Sequence, residues 1–419
     1  MRPLSRPLRT PAGALALALS ALAGGPLGNA LGAQTPAPTA SAPAASAADP
    51  VRALVARLDL ERYKATIKGL TRFGDRRQGT DRNRAAVDWI EAQLKSYGCT
   101  NTERVTYDFQ PPAPRPGAPA NPYAARVATS APGGARLRGS QMPIGVNTDS
   151  LAQPDARLRA LNAQPSAPGR RQEVYCTKVG TTHPGEMYIV GAHMDGIGWG
   201  EAANDDGSGT ALVMELARVF SSPDVQTDRS IRFVLWNNEE TGLNGARAYV
   251  EQRQALQGKE SPAGSGKYPE PRWLGMVQHD MMLFDHGMPR ADGTMSREQR
   301  PEADVNIEFQ SAAKMAAGAQ QLAWAFANAN EAYATDYPAT VGQHMTNTDS
   351  GPFQDLVPAI SLRENERGSQ IGAGWDPQWH QPTDVFATYT DKDFRLGLNA
   401  AQTTLGGIGR LAGAAVRRP

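Results

Sequence analysis

The sequence predicts one large α/β domain, and three stretches carry the prediction. From Met187 to Ala192 a short apolar run stops abruptly at His193 and Asp195, and after a Gly- and Trp-rich loop a helical pattern covers Thr210 to Phe220. From Ile231 to Trp236 a second apolar run stops at Asn237-Asn238-Glu239-Glu240, before a helix that includes Tyr249. A third, Trp273 to Gln278, stops at His279-Asp280-Met281-Met282. Each reads as a buried strand with its chemistry at the carboxyl end, which is where open α/β sheets keep their sites.

At the start of the 419-residue chain, Arg2, Arg6 and Arg9 precede an Ala/Leu-rich run from Ala12 to Ala23, and small residues follow to about Ala33. The run is too short to span a bilayer, so 1–33 reads as a secretory signal peptide, and the mature protein is expected to be exported, periplasmic or secreted. Residues 34–50 are nearly all Ala, Pro, Ser and Thr. That composition cannot bury enough apolar surface to offset the entropy of ordering, so a disordered linker is expected. Residues 51–419 then form a single domain with no second apolar span. The formal net charge is +1, or about −2 without the three signal arginines, which gives no sign of a nucleic-acid partner or, after signal cleavage, of a membrane surface.

Apolar residues at three- and four-residue spacing predict helices over Leu54–Leu70 and Thr80–Tyr97, the second capped from Thr80-Asp81-Arg82-Asn83. Thr102 to Phe109 alternates as a strand. Gln110 to Arg171 is rich in Pro, Gly, Ala and Arg and reads as a long surface excursion. A final helix is expected from about Asp391 to Val416. The only two cysteines, Cys99 and Cys176, flank the excursion at the edges of two predicted strands. In an exported chain a disulfide between them is expected in preference to two buried thiols.

Strand periodicity puts His193 and Asp195 on one side, so an imidazole nitrogen could face a metal while the Asp195 carboxylate fixes the ring from behind. In Asn204-Asp205-Asp206-Gly207-Ser208-Gly209 neighbouring side chains point apart, so one of the two acids is expected to reach the same place. A lone His at a strand end is ordinarily a satisfied polar residue, and Asp-Asp-Gly is ordinarily a turn. Glu239 and Glu240 could likewise be solvated charges at a helix start. Against these readings, the strands deliver Glu239, Glu240 and Asp280 to the edge that carries His193. A late loop, Trp375-Asp376-Pro377-Gln378-Trp379-His380-Gln381-Pro382-Thr383-Asp384, offers a further His.

The order His-x-Asp, Asn-Asp-Asp-x-Ser-Gly, Glu-Glu-x-Gly-Leu-x-Gly, Asp-Met and a late His-x-Pro-x-Asp resembles the co-catalytic di-zinc exopeptidases of the bacterial leucyl aminopeptidase type, relatives of glutamate carboxypeptidases and glutaminyl cyclases. The resemblance runs from about Leu54 to Leu411. It implies the zinc-exopeptidase fold, a mixed, largely parallel central sheet sandwiched by helices, and two Zn²⁺ per chain. One zinc would be held by His193 and Asp280 and the other by Glu240 and His380, with Asp205 bridging. Glu239 would be the general base and Asp195 its catalytic companion behind His193. The implied activity is removal of N-terminal residues from peptide substrates, with Glu239 deprotonating a zinc-bridging water. The same ligands would accept cobalt or manganese.

One departure stands out: Thr348-Asp349-Ser350-Gly351-Pro352-Phe353 carries serine where relatives have Ser-Asp-His, and His344 is the nearest histidine. Within the family, a carboxypeptidase or dipeptidase would need basic residues for a substrate carboxylate, and Arg363 and Arg367 are the candidates. A glutaminyl cyclase and a non-catalytic binding protein are the more distant alternatives. Gly264-Ser265-Gly266-Lys267 lacks the spacing of a phosphate-binding loop, and no Gly-x-Ser-x-Gly offers a serine nucleophile. His183, His279 and His286 read as structural or solvated.

Overall fold

The computed structural model describes residues 49–111, 146–284, 305–343, 347–364, 376 and 378–417. These all belong to the compact unit Asp49–Pro419. The predicted signal peptide and nearly all of the predicted linker lie outside the described residues.

Three helices come first: α1 (Pro50–Val55), α2 (Leu60–Thr71) and α3 (Asp81–Ser96). Asp49 caps α1, and Pro50 sits in its first turn, where its missing N–H costs nothing, so these last two residues of the predicted linker belong to the helix start. The single helix predicted over Leu54–Leu70 is broken at Asp59. Its carboxylate accepts from Arg62 N at 2.9 Å and its own N–H donates to Glu215 at 3.0 Å, so the side chain offers the backbone an exit from the helix.

In chain order there follow β1 (Glu103–Phe109), α4 (Ala156–Asn162), β2 (Gly169–Lys178), β3 (His183–His193), α5 (Gly207–Phe220), β4 (Val225–Gln226), β5 (Arg229–Trp236) and α6 (Asn244–Arg253). Then come β6 (Arg272–His279), β7 (Val305–Phe309), α7 (Ala316–Tyr333), β8 (Ala339–Gly342), β9 (Ala359–Arg363), α8 (Asp391–Leu411) and β10 (Ala415–Val416). Among the described residues the main sheet has eight strands, in the order β1-β2-β5-β3-β6-β9-β7-β8. Its centre, β5, β3, β6 and β9, is parallel, and β1, β2 and β7 enter antiparallel to their inner neighbours. This is the mixed, largely parallel sheet expected.

Alternation along the strands builds a core on each face. Ile231, Phe233 and Leu235 of β5 face one core, with residues of α2, α3, α5, α7 and α8, while Val234 and Trp236 face the other, with Ala246 and Tyr249 of α6. Helices therefore sandwich the sheet, and the carboxyl ends of β3, β5, β6 and β9 come out along one edge.

Two expectations need correction. The excursion 110–171 is not irregular to its end: where described, it carries α4, and β2 begins at Gly169, paired with Phe109 of β1. The polar residues Arg170, Arg171 and Gln172 hide this strand from a hydrophobic pattern. The last helix stops at Leu411, after which Gly413 adopts φ +67 and Ala415–Val416 pairs with β4. Glycine takes that left-handed conformation without the steric penalty of a Cβ.

Cys99, just after α3, is bonded to Cys176 in β2, with Cα atoms 6.0 Å apart and 77 positions between them in sequence. Closing a loop that long removes about 4 kcal/mol of denatured-state entropy in the chain-entropy picture. Thiol titration of the denatured, unreduced protein should find no free thiol, and reduction should lower the melting temperature by several degrees. Two reactive thiols per chain would contradict the bond.

Candidate metal centre

His193 closes β3, 1 % exposed, and its Nε2 lies 3.3 Å from Asp205 Oδ1 and 3.8 Å from Asp280 Oδ1. Its other nitrogen, Nδ1, is 3.0 Å from the main-chain oxygen of Asp195. The expectation that the Asp195 carboxylate fixes the ring is therefore corrected. That carboxylate is 4.0 Å from Nδ1 and instead accepts the N–H of Glu239 at 3.0 Å. At the end of a strand the main chain turns, so strict alternation no longer predicts which atom of Asp195 meets the ring.

The loop after β3 separates the two neighbouring aspartates as expected. Asp206 caps α5, its carboxylate accepting from Gly209 N at 2.9 Å, His193 N at 3.1 Å and Met281 N at 3.2 Å. Asp205 faces the site, with Oδ1 toward His193 and Oδ2 3.0 Å from His380 Nε2. Burial opposes its charge, but the two imidazoles overcome this and hold its carboxyl well below the usual range.

Beyond β5 the chain turns sharply. Asn238 has φ +65, Gly242 has φ +128, and the N–H groups of Gly242 and Leu243 both donate to Glu239 O, at 2.8 and 2.9 Å. This turn lifts Glu239 and Glu240 into the same cavity. Glu240 Oε2 lies 2.9 Å from His380 Nε2, while Oε1 is buried without a partner. Burial, with the Asp205 charge added and His380 opposing, pushes the Glu240 carboxyl up to about 7. Burial likewise pushes Glu239 well above the usual range, and His380 is raised to about 10 because Glu240 and Asp205 outweigh its burial. After β6, Asp280 directs Oδ1 at His193 and Oδ2 at Arg363, whose Nη2 is 2.6 Å away.

All five predicted ligands and Glu239 thus converge on one cavity of ≈350 Å³, which Thr241, Gly242, Asn347 and Trp379 also line. His193, Glu239 and Asp280 form one group of converging ligand atoms, and His193, Asp205 and Glu240 a second. Among the described residues the converging ligand atoms are carboxylates and imidazoles, one Glu240 oxygen is orphaned, and both imidazoles owe their high proton affinity to the acids around them. A divalent cation would relieve that charge where a proton does so otherwise, so the residues fit a metal pair.

The residues that support these ligands lie outside the predicted set. Asp384 accepts the consecutive N–H groups of Asn204 and Asp205, at 2.8 and 3.1 Å, and so aims Asp205; its place in His-x-Pro-x-Asp was the available signal. The fully buried Arg76 donates to the carbonyls of Met194, Glu201 and Ala202, at 2.7, 2.8 and 2.7 Å, tying down the loop after β3. No local pattern marks it. Arg363, a candidate for a substrate carboxylate, is 1 % exposed and paired with Asp280, so it supports a predicted ligand instead. Arg367, His344 and His286 lie outside the described residues. Ser350 is buried with its hydroxyl 2.8 Å from that of Ser361, and His279 is held between Gly191 O at 3.1 Å and Thr404 Oγ1 at 2.8 Å, a structural histidine as expected.

A mixed, mainly parallel sheet with paired His–carboxylate clusters at its carboxyl edge defines the co-catalytic zinc exopeptidase class. Residues 173–401 match Peptidase family M28, and the chain belongs to that family. Among curated proteins it is 26% identical over 276 residues to the probable lipoprotein aminopeptidase LpqL of Mycobacterium tuberculosis, a match covering 64% of this chain and 48% of that one. It is also 44% identical over 69 residues to aminopeptidase YwaD of Bacillus subtilis, covering 16% and 14% respectively. The chain thus spans half or less of these relatives' length. The solved structure of BSAP, a zinc aminopeptidase from Bacillus subtilis, aligns over 86% of this chain and 98% of that chain with a TM-score of 0.57 at 15% identity, a likeness of fold.

Proposed function

We propose that this chain is an exported metallo-exopeptidase that releases N-terminal residues from peptides. The observation that carries the reading is Asp205, whose two oxygens face two different imidazoles while Glu239 shares their cavity. His193 and Asp280 would hold one zinc, Glu240 and His380 the second, and Asp205 both. Bound there, the metals supply Lewis acidity, which polarises a carbonyl and lowers the pKa of water toward neutrality.

The chain's own residues do the rest. Glu239 is anchored through its N–H to Asp195, so its carboxylate is held at the cavity wall. It takes a proton from the attacking water and returns it to the leaving amine. Burial favours its protonated form, which suits a group that must keep the proton between the two transfers. Asp280, steadied by Arg363, and Asp205, aimed by Asp384, stay ionised as ligands must. Export rests on the signal-type N-terminus and the disulfide, and no described helix is long and apolar enough to cross a membrane.

A panel of peptides with free or acetylated N-termini and free or amidated C-termini tests this reading. Free N-termini should be required and C-terminal amidation tolerated. Loss of C-terminal residues from acetylated peptides would establish a carboxypeptidase instead.

A further inference from the structure

The two histidines of the centre are held in different ways. His193 has its rear nitrogen fixed by a main-chain oxygen at 3.0 Å, the usual means of setting a ligating imidazole's tautomer and tilt. Among the described residues His380 has no such partner: its Nδ1 is buried without a hydrogen bond. What meets its ring is the indole of the preceding residue, Trp379, with centroids 3.9 Å apart and planes 25° apart.

The main chain at this point is closely constrained. His380 has φ +57, its carbonyl accepts from Asn147 N at 3.0 Å, and a Cβ on Gly198 would come within 2.3 Å of its carbonyl carbon and oxygen. The turn before it is closed by Trp379 N donating to Asp376 O at 3.1 Å, and Asp376 in turn accepts from Asn204 Nδ2 at 2.9 Å. With the backbone held, ring rotation is the remaining freedom of His380. No hydrogen bond behind the ring sets it.

From this we infer that Trp379 is a positioning residue: its indole face, and not a hydrogen bond, orients His380 toward the Glu240 half of the metal pair. Two flat rings stacked face over face resist tilting through their contact area alone. The arrangement also leaves Nδ1 without an acceptor to raise the basicity of the ring, so the two halves of the centre should differ in affinity, with the His380 half the weaker. The inference rests on the metal reading above, and its test separates the two.

Metal affinity is measured by competition with a chromophoric chelator, using zinc, together with the visible absorption of the cobalt-loaded protein, for wild type and for Trp379→Ala, Trp379→Leu and Trp379→Phe. Circular dichroism confirms that each is folded. Loss of an orienting contact behind a ligand should weaken the weaker site about 10- to 100-fold, leave the tighter site unchanged and alter the cobalt spectrum. Phenylalanine should restore near-wild-type affinity, and leucine, similar in bulk but without a ring face, should not. Wild-type affinity at both sites in Trp379→Ala, or equal rescue by leucine and phenylalanine, would overturn the inference. Should alanine prevent folding, the leucine and phenylalanine comparison still decides. A His380→Ala variant that keeps two metals would refute the metal assignment itself, and the inference with it.

Discussion

Glu239→Gln should lower kcat by about 10²- to 10⁴-fold while both metals remain bound and KM changes little. Glutamine keeps the size of the side chain and the N–H that donates to Asp195, so the turn over Asn237–Leu243 has no reason to move. What it loses is the ability to accept a proton from water and give it to the leaving group. Glu239 also belongs to a group of converging ligand atoms, with His193 and Asp280, that could hold an ion. If it were a ligand, the same substitution would release a metal. Metal content measured beside kcat on one preparation separates the roles, and a variant that loses a metal, or turns over at near the wild-type rate, contradicts the assignment.

Its neighbour should behave in the opposite way. Glu240→Ala removes the carboxylate that lies 2.9 Å from His380 Nε2 and leaves only His380 and Asp205 on that side of the centre. Altering an outer contact of a ligand costs about 10- to 100-fold in affinity, and deleting a ligand should cost more, so this variant is expected to keep one metal per chain after dialysis. The His193 side, which depends on Asp280 and Asp205, should keep its affinity. Retention of two metals at wild-type affinity would remove Glu240 from the ligand set.

Much of this centre was legible because His193, Glu239, Glu240 and Asp280 stand where apolar runs stop, while Asp205 and His380 sit in loops. Met187–Ala192, Ile231–Trp236 and Trp273–Gln278 are strands, and His193, Glu239, Glu240 and Asp280 follow their ends. From the residues alone, Asp205 and Asp206 were legible only as one facing inward, and the family resemblance pointed to Asp205; the physical reason is that Asp206 caps α5, a contact set by the fold. Asp195 was placed on the right strand end with the wrong atom facing the ring. Arg363 was a candidate for a substrate carboxylate under the carboxypeptidase alternative, since nothing local to it foretells pairing with Asp280, 83 positions away.

The supports were hidden for the same reason: they act across long sequence separations. Asn147 and Gln153 come from what reads as a surface excursion. Yet Asn147 N holds the His380 carbonyl, and Gln153 Nε2 donates to the carbonyls of Trp199 and Pro382, at 2.8 and 3.0 Å, joining the two loops beside the centre. A Pro- and Gly-rich composition tells of irregular backbone, not of where that backbone is anchored. The short strands β7, β8 and β9 were not delimited either, because runs of four or five residues carry too little periodicity to stand out.

Metal analysis of the purified, active protein is the decisive test of a metal pair sharing Asp205. Two divalent ions per chain are expected, with activity lost on chelation and restored by adding zinc. Full activity with clearly less than one metal per chain, or activity indifferent to chelator, would contradict it.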